Sequence, residues 1–385
     1  MNSPDLSFSK LDFSRAPFLV IWELTQACDL VCRHCRASAM PERSPDELTT
    51  EEGRRLLQDI RAMETPVVVL SGGDPLKRPD LPELIRYGTD LGLRIATIPA
   101  ATARITPELL HTLKAAGLAQ IAFSLDASSE ALQDGFRQVP GTYRTTLQAI
   151  EWAHQVGLPV QINTTYSRFN LSDADAMIEL VRKLGIVFWE VFVLVPIGRG
   201  KELEGLTAEE CETLLEKLYD CATRSRFLLK VTEAPHYRRV VMQHRAASPH
   251  TVRADAGSAI PAQLAGGVGP SEAFGRKAKG INAAKGFCFV SHTGEVFPSG
   301  FLPISVGNVR SSCLASLYRD SPLFRMLRDP DRLKGRCGRC EFREICGGSR
   351  SRAYALTGDV LGEDPTCLYN PQRQISSSAL AQQGG

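Results

Sequence analysis

The stretch FLVIWELTQACDLVCRHC runs from Phe18 to Cys35 and joins two signals. Its first seven residues are an apolar run, short enough for a strand buried on both faces. Directly behind it, Cys28, Cys32 and Cys35 fall in the spacing C-x3-C-x2-C. The loop at the C-terminal edge of a strand is where β/α folds place their chemistry. Thiolates select zinc, Cu(I) or iron–sulfur clusters, and zinc ribbons usually carry paired C-x2-C knuckles. Three thiolates leave a closed tetrahedral site one ligand short. They suffice for three irons of a [4Fe–4S] cubane, whose fourth iron then stays open to a small molecule. The competing reading is a structural zinc site completed by a distant ligand.

Outward from this stretch the pattern repeats. Apolar runs recur at 66–72, 94–100, 120–126, 159–165 and 187–195, each bounded by Gly, Pro or polar residues. Helical patterns lie between and after them at about 47–62, 80–91, 106–116, 141–156, 172–185 and 207–223. Thr106-Pro107 caps one helix start, and Gly92, Gly117, Gly157 and Gly185 close others. Six β/α units in series demand right-handed crossovers and a parallel sheet. An open doubly wound sheet and a partial β/α barrel both satisfy that pattern. Beyond 227–241 the composition shifts, and residues 246–280 are rich in Ala, Gly, Ser and Pro. From Gly286, GFCFVSHTGEVFPSG predicts a hairpin around His292-Thr293-Gly294, followed by a helix near 313–327. The expected division is an N-terminal segment 1–16, a core 17–245, a linker or lid 246–285, a small C-terminal domain 286–370 and a disordered tail 371–385.

With 43% hydrophobic and 23% charged residues, the 385-residue chain reads as soluble and globular, and its formal charge of +2 calls for neither nucleic acid nor membrane. No run approaches the roughly 18 apolar residues of a membrane span, and the N-terminal text lacks the basic start and apolar core of a signal peptide. The expected location is the cytoplasm, where thiols stay reduced, so the 11 cysteines read as metal ligands or free thiols. They gather at both ends: Cys337, Cys340, Cys346 and Cys367 form a second group, C-x2-C-x5-C-x20-C. Four thiolates close a site, and spacing alone leaves zinc and iron–sulfur open there. Cys211, Cys221 and Cys313 fall on helical patterns as small buried hydrophobes, and Cys288 reads as packing.

C-x3-C-x2-C behind the first strand resembles the signature of radical S-adenosylmethionine (SAM) enzymes. The resemblance covers about 17–245 and 286–370 and implies a partial (β/α)6 TIM-like barrel with a small C-terminal α+β iron–sulfur domain. It implies that SAM chelates the open iron and is cleaved reductively to methionine and a 5′-deoxyadenosyl radical that abstracts hydrogen from substrate. His34 occupies the family's usual aromatic position, and packing beside the cluster is its expected role. SGGDP (71–75) resembles the family's GGE motif, with Gly72 and Gly73 allowing φ > 0 and close backbone approach, and Asp74 where Glu is commoner. FSLDA (123–127) puts Ser124 and Asp126 on one face, Ser124 by the SAM carboxylate or ribose. Arg137 reads either as a carboxylate clamp or as a surface arginine. Asn163, Thr165 and the run Val193–Pro196, with Val195, match positions that contact ribose and adenine in relatives.

The C-terminal cysteines resemble a SPASM or twitch extension. Arg350 and Ser299 stand where the full pattern has cysteines, which implies a single auxiliary [4Fe–4S] cluster. The tail is nearest the branch with haem-biosynthesis enzymes (haem d1 synthesis, haem b decarboxylation) and peptide maturases. A tetrapyrrole or ribosomal peptide is thus the expected substrate, modified oxidatively by decarboxylation, crosslinking or dehydrogenation. A reductant such as flavodoxin or ferredoxin is implied. Glu233, His236, Tyr237 and Arg238, with Arg350 or Arg352, either face the substrate or, for HYRR, open an ordinary exposed helix. The alternative from another class is a non-enzymatic iron–sulfur electron carrier or a zinc-stabilised binding protein.

Overall fold

A computed structural model describes residues 12–247 and 280–371; the expected linker and tail fall largely, and the N-terminal segment mostly, outside these. In chain order the first half runs β1 (Leu19–Glu23), α1 (Thr50–Ala62), β2 (Val67–Ser71), α2 (Leu81–Asp90), β3 (Arg94–Thr97), α3 (Pro107–Ala115), β4 (Gln120–Ser124), α4 (Glu130–Arg137) and α5 (Thr142–Val156). There follow β5 (Val160–Tyr166), α6 (Ala174–Lys183), β6 (Phe188–Val193), α7 (Ala208–Thr223), β7 (Leu228–Thr232) and α8 (Tyr237–Ala247). The last part comprises β8 (Phe287–Val290), β9 (Val296–Phe297), α9 (Leu314–Asp320), α10 (Pro322–Arg328), α11 (Gly335–Gly338) and α12 (Arg350–Thr357).

Strands β1 to β7 are parallel and adjacent in sequence order, and β8 pairs in parallel with β1 on the other side. The sheet is a half-barrel, the one of the two β/α arrangements that the family resemblance implied. Three strands, β7, β8 and β9, lie beyond the six of the β/α units. β7 escaped because Lys230 and Thr232 interrupt its apolar run, although they alternate with Leu229 and Val231 as an edge strand should. The hairpin at His292 exists, β8 against β9 antiparallel, and it is built onto the barrel's own sheet. Helix α4 also went unread: eight residues before Pro140 are too few to show a period.

Register fixes the two faces. Val20, Trp22, Val68, Leu70, Ile95, Ile121, Phe123, Ile162, Trp189 and Val191 are buried under the helices. Ile21, Val69, Ala96, Gln120, Gln161, Asn163, Glu190, Lys230 and Phe289 line the opposite, inner face. Cys288 therefore points outward into the helical layer and is fully buried, a packing residue as read. Helix ends follow their chemistry. Thr49 and Glu52 form a capping box on α1, Thr106 accepts from the Leu109 N–H, and α5 ends on Gly157 at φ +75°.

Candidate functional site

The loop leaving β1 carries the first three cysteines. Cys28 and Cys32 are buried, and Cys35 is half-buried. Each sulfur has one N–H donor: Leu30 N to Cys28 Sγ at 3.3 Å, Ala39 N to Cys35 Sγ at 3.5 Å, and Arg137 Nη1 to Cys32 Sγ at 3.6 Å. Burial pushes the Cys28 thiol up to about 12. A site that raises its own thiols this way needs a cationic occupant to hold them as thiolates.

Three strand ends hold this loop. From β2, Gly73 N donates to Thr25 O and Asp74 N to Ala27 O, both at 2.7 Å. A Cβ at Gly73 would stand 2.5 Å from the Gln26 and Ala27 carbonyls, and one at Gly72 2.7 Å from Thr25 O. Neither glycine adopts a positive φ. Close approach of two backbones, not a left-handed turn, is what requires them. Asp74 caps a single helical turn through the Leu76 N–H (3.1 Å) and also accepts from Ala100 N (3.3 Å). Its Oδ2 is buried with no partner, and burial lifts its carboxyl to about 6. That orphaned acceptor beside the open cysteine loop suits the ammonium group of an amino-acid ligand.

From β4, Ser124 lies half-buried at the sheet's inner edge, while Asp126 is buried, accepting from Thr165 N at 2.8 Å and from Arg137. Arg137 is thus no surface residue. Burial alone would lower its guanidinium, but Asp126 and Cys32 outweigh that and keep it charged. From β6, Val195 begins a turn in which Gly198, at φ +52°, leaves no room for a Cβ, which would lie 2.4 Å from Arg36 O. Arg199 then donates through Nε to Cys32 O (2.9 Å) and through Nη1 to Ala39 O (3.2 Å). Sequence reasoning missed Arg199; PIGRG directly after the sixth strand was the available signal. His34 stacks on Phe136 with centroids 4.2 Å apart and is held neutral by burial, at about 4, so packing is its role.

A hydrogen-bonded row crosses the inner face, also unread. Arg94 Nη2 donates to Gln120 (3.2 Å), Gln120 to Gln161 (2.7 Å), and Gln161 to both Asn163 (2.7 Å) and Glu190 (3.1 Å). Glu190 closes it by accepting from Lys230 (2.7 Å) and Thr232 (2.6 Å). The structure joins Asn163 to this row. Polar residues at alternate positions of otherwise apolar strands were its trace.

The other four cysteines converge. Cys337, Cys340, Cys346 and Cys367 line one cavity of about 30 Å³ with His236, Arg239 and Asp364. Amide N–H groups two residues on approach their sulfurs, Gly348 N at 3.4 Å from Cys346, and Phe342 N and Tyr369 N against Cys340 and Cys367. Cys337 receives Asp364 N (3.5 Å) and Arg350 Nη2 (3.7 Å). Burial raises Cys346 to about 12 and Cys367 to about 11. Donors aimed at all four sulfurs fit thiolates bound to a cluster.

The expected substrate-facing ring is not one. Arg352, 1% exposed, donates to Val193 O (2.9 Å), Leu194 O (3.2 Å), Glu233 O (2.5 Å) and Thr366 (3.1 Å). Arg238 holds Ile345 O and Ile281 O, and Arg350 holds three carbonyls. His236 and Tyr237 are buried, so HYRR is not an exposed helix start either; it is the seam between barrel and C-terminal segment. Glu233, at φ +60°, accepts from Ser299, Ser349 and Ser351. Cys211 and Cys221 are buried as expected, but Cys313 is exposed, because it caps α9 from outside the helix.

Residues 22–181 match the family model described as Radical SAM superfamily. The chain is 39% identical over 361 residues to an AdoMet-dependent heme synthase of Methanosarcina barkeri, covering 94% of this chain and 99% of that protein. It is 28% identical to a PqqA peptide cyclase of Bradyrhizobium diazoefficiens, covering 92% and 87%. Among solved structures, Streptococcus suis SuiB bound to S-adenosylmethionine shares the fold with a TM-score of 0.68 at 16% identity, over 92% of this chain and 78% of that one. Membership in an enzyme family sets aside the electron-carrier and zinc-protein alternatives. No helix among the described residues is long and apolar enough to cross a membrane. With its half-barrel, its cysteine loop and a full-length relative at this identity, the chain belongs to the radical SAM superfamily.

Proposed function

We propose that this enzyme forms haem by oxidatively decarboxylating propionate side chains of an iron tetrapyrrole. The observation that carries the substrate is the 39% identity spanning 99% of a haem synthase, against 28% for a peptide cyclase. In this reading Cys28, Cys32 and Cys35 hold a [4Fe–4S] cluster, and Cys337, Cys340, Cys346 and Cys367 hold one auxiliary [4Fe–4S] cluster in a domain over 286–370. The chemistry supplied by the bound cofactor is reductive cleavage of SAM to a radical that takes a hydrogen atom from the substrate. Asp74 Oδ2, buried without a partner, would accept from the SAM ammonium, and Gly72 and Gly73 would let the β2 backbone lie alongside. Arg137, held by Asp126, fixes the Cys32 sulfur. Ser124, Asn163 and Val195 border the nucleoside, and the inner-face row orients and shields the reacting groups.

Turning a propionate into a vinyl group releases CO2, one hydrogen atom and one electron. The hydrogen would leave in 5′-deoxyadenosine, and a cluster held by Cys337, Cys340, Cys346 and Cys367 would supply an acceptor for the electron. A flavodoxin or ferredoxin supplies the electron for SAM cleavage, in the cytoplasm, where the thiols stay reduced. The test is anaerobic reconstitution followed by dithionite, SAM and iron coproporphyrin III. Expected are haem, one 5′-deoxyadenosine per propionate lost, and about eight irons per chain. 5′-Deoxyadenosine without haem would overturn the substrate, and about four irons would overturn the auxiliary cluster.

A further inference from the structure

Each cysteine group has one guanidinium, largely buried at Arg137 and fully buried at Arg350, donating to one of its sulfurs, but the two differ in charge. Arg137, 3.6 Å from Cys32 Sγ, is in direct contact with the Asp126 carboxylate, which cancels its charge. Arg350, 1% exposed at the start of α12, stands 3.7 Å from Cys337 Sγ. Its other donors go to Gly362 O (2.7 Å), Val360 O (3.1 Å) and Gly348 O (3.3 Å), all carbonyls. Three fixed carbonyls leave Nη2 aimed at the sulfur. Gly348 keeps the approach open: a Cβ there would stand 2.5 Å from Arg350 Nη2 and 3.0 Å from Cys337 Sγ. The buried carboxylate nearby, Asp364, is taken up by Ser349 N (2.7 Å) and Arg352 (3.5 Å). A buried cation without a contacting carboxylate calls for another anion, which thiolates on a cluster provide.

We infer that Arg350 is a positioning residue for the auxiliary cluster, hydrogen-bonding the Cys337 sulfur and raising that cluster's midpoint potential above that of the SAM-binding cluster. The inference rests on the four-cysteine reading above. The physical basis is that a buried positive charge with no carboxylate in ion-pair contact, Asp359 and Asp364 acting on it only from further away, and an N–H···S bond stabilise the more negative, reduced state. At the first cluster the Asp126 carboxylate offsets the same effect.

The test is an EPR-monitored redox titration of the reconstituted full chain and of Arg350→Gln and Arg350→Lys. Expected are a higher potential for the auxiliary cluster in the unaltered protein, a fall in Arg350→Gln, partial recovery in Arg350→Lys, and no change at the SAM-binding cluster. An unchanged potential in Arg350→Gln with all irons retained overturns the inference and leaves the four-cysteine cluster standing. About four irons in the unaltered protein overturns the cluster itself. Should Arg350→Gln lose iron, resonance Raman of the unaltered protein decides: Fe–S(Cys) bands that shift in D2O support the N–H···S bond, and bands that do not shift refute it.

Discussion

Replacing Arg352 by Met removes five donors while keeping an unbranched side chain of similar reach. Arg352 ties α12 to the end of β6 through Val193 O and Leu194 O, and to the turn after β7 through Glu233 O. It also faces the buried Asp364 carboxylate at 3.5 Å. The Arg352 guanidinium, more than any other neighbour, holds that carboxyl below its usual range against burial. Met leaves three carbonyls and a carboxylate without their partner in the interior. Stripping one member of a buried pair costs about 3–5 kcal/mol, and the orphaned carbonyls keep the loss at the top of that range. With an unfolding entropy of about 2.1 cal/mol/K per residue, cooperative melting would fall by ~6 °C. The damage lies at the seam rather than in the first cysteine loop. Anaerobically reconstituted Arg352→Met should drop from about eight to about four irons while still making some 5′-deoxyadenosine from SAM without substrate. Retention of all irons with an unchanged melting temperature would refute the view that this arginine, rather than packing, fastens the C-terminal segment.

Cys32→Ser should abolish 5′-deoxyadenosine formation and SAM binding, whereas Cys367→Ser should keep SAM binding; equilibrium dialysis with labelled SAM separates them. Gly73→Ala forces a Cβ against two carbonyls and should cost about 1–3 kcal/mol, read as a lower melting temperature together with weakened SAM binding. His236 is buried and held neutral at about 4, so the unfolded chain binds more protons from about 6.5 down to 4 and stability falls with pH across that window. The urea midpoint should therefore drop between pH 7.5 and 5.5, and the drop should shrink in His236→Gln; an equal drop in both would count against it.

The parallel β/α sheet was legible because its strands write themselves as repeated apolar runs between helical periods, while its curving into a half-barrel came only with the family resemblance. What escaped were features whose partners lie far along the chain. Nothing within FCFV tells that it pairs with LVIW some 260 residues earlier, giving β8 beside β1. Arg350 and Arg352 read as candidate substrate clamps because a sequence shows charge but not the carbonyls that absorb it. The cysteine groups were plain from spacing, while Arg199, which holds the first loop in place, was marked only by its place in PIGRG after the sixth strand, and its carbonyl partners lie about 160 residues earlier.

The first loop is held almost entirely by backbone groups. Gly73 and Asp74 bond it from β2, Arg199 reaches its carbonyls from the end of β6, and the Asp126–Arg137 pair reaches Cys32 from β4. Carbonyl and amide bonds fix where the sulfurs sit without supplying a fourth ligand, which leaves one coordination position for the cofactor. The second group is arranged oppositely: four sulfurs, a donor aimed at each, and an arginine with no carboxylate in contact. On the proposed four-cysteine reading, such a site would have no vacancy for a substrate, and Arg350 would favour its accepting negative charge. If the proposed function holds, an open site beside the inner face and a closed, electron-accepting site at the seam would together serve an oxidative decarboxylation, since the hydrogen atom and the electron must leave the substrate by separate routes.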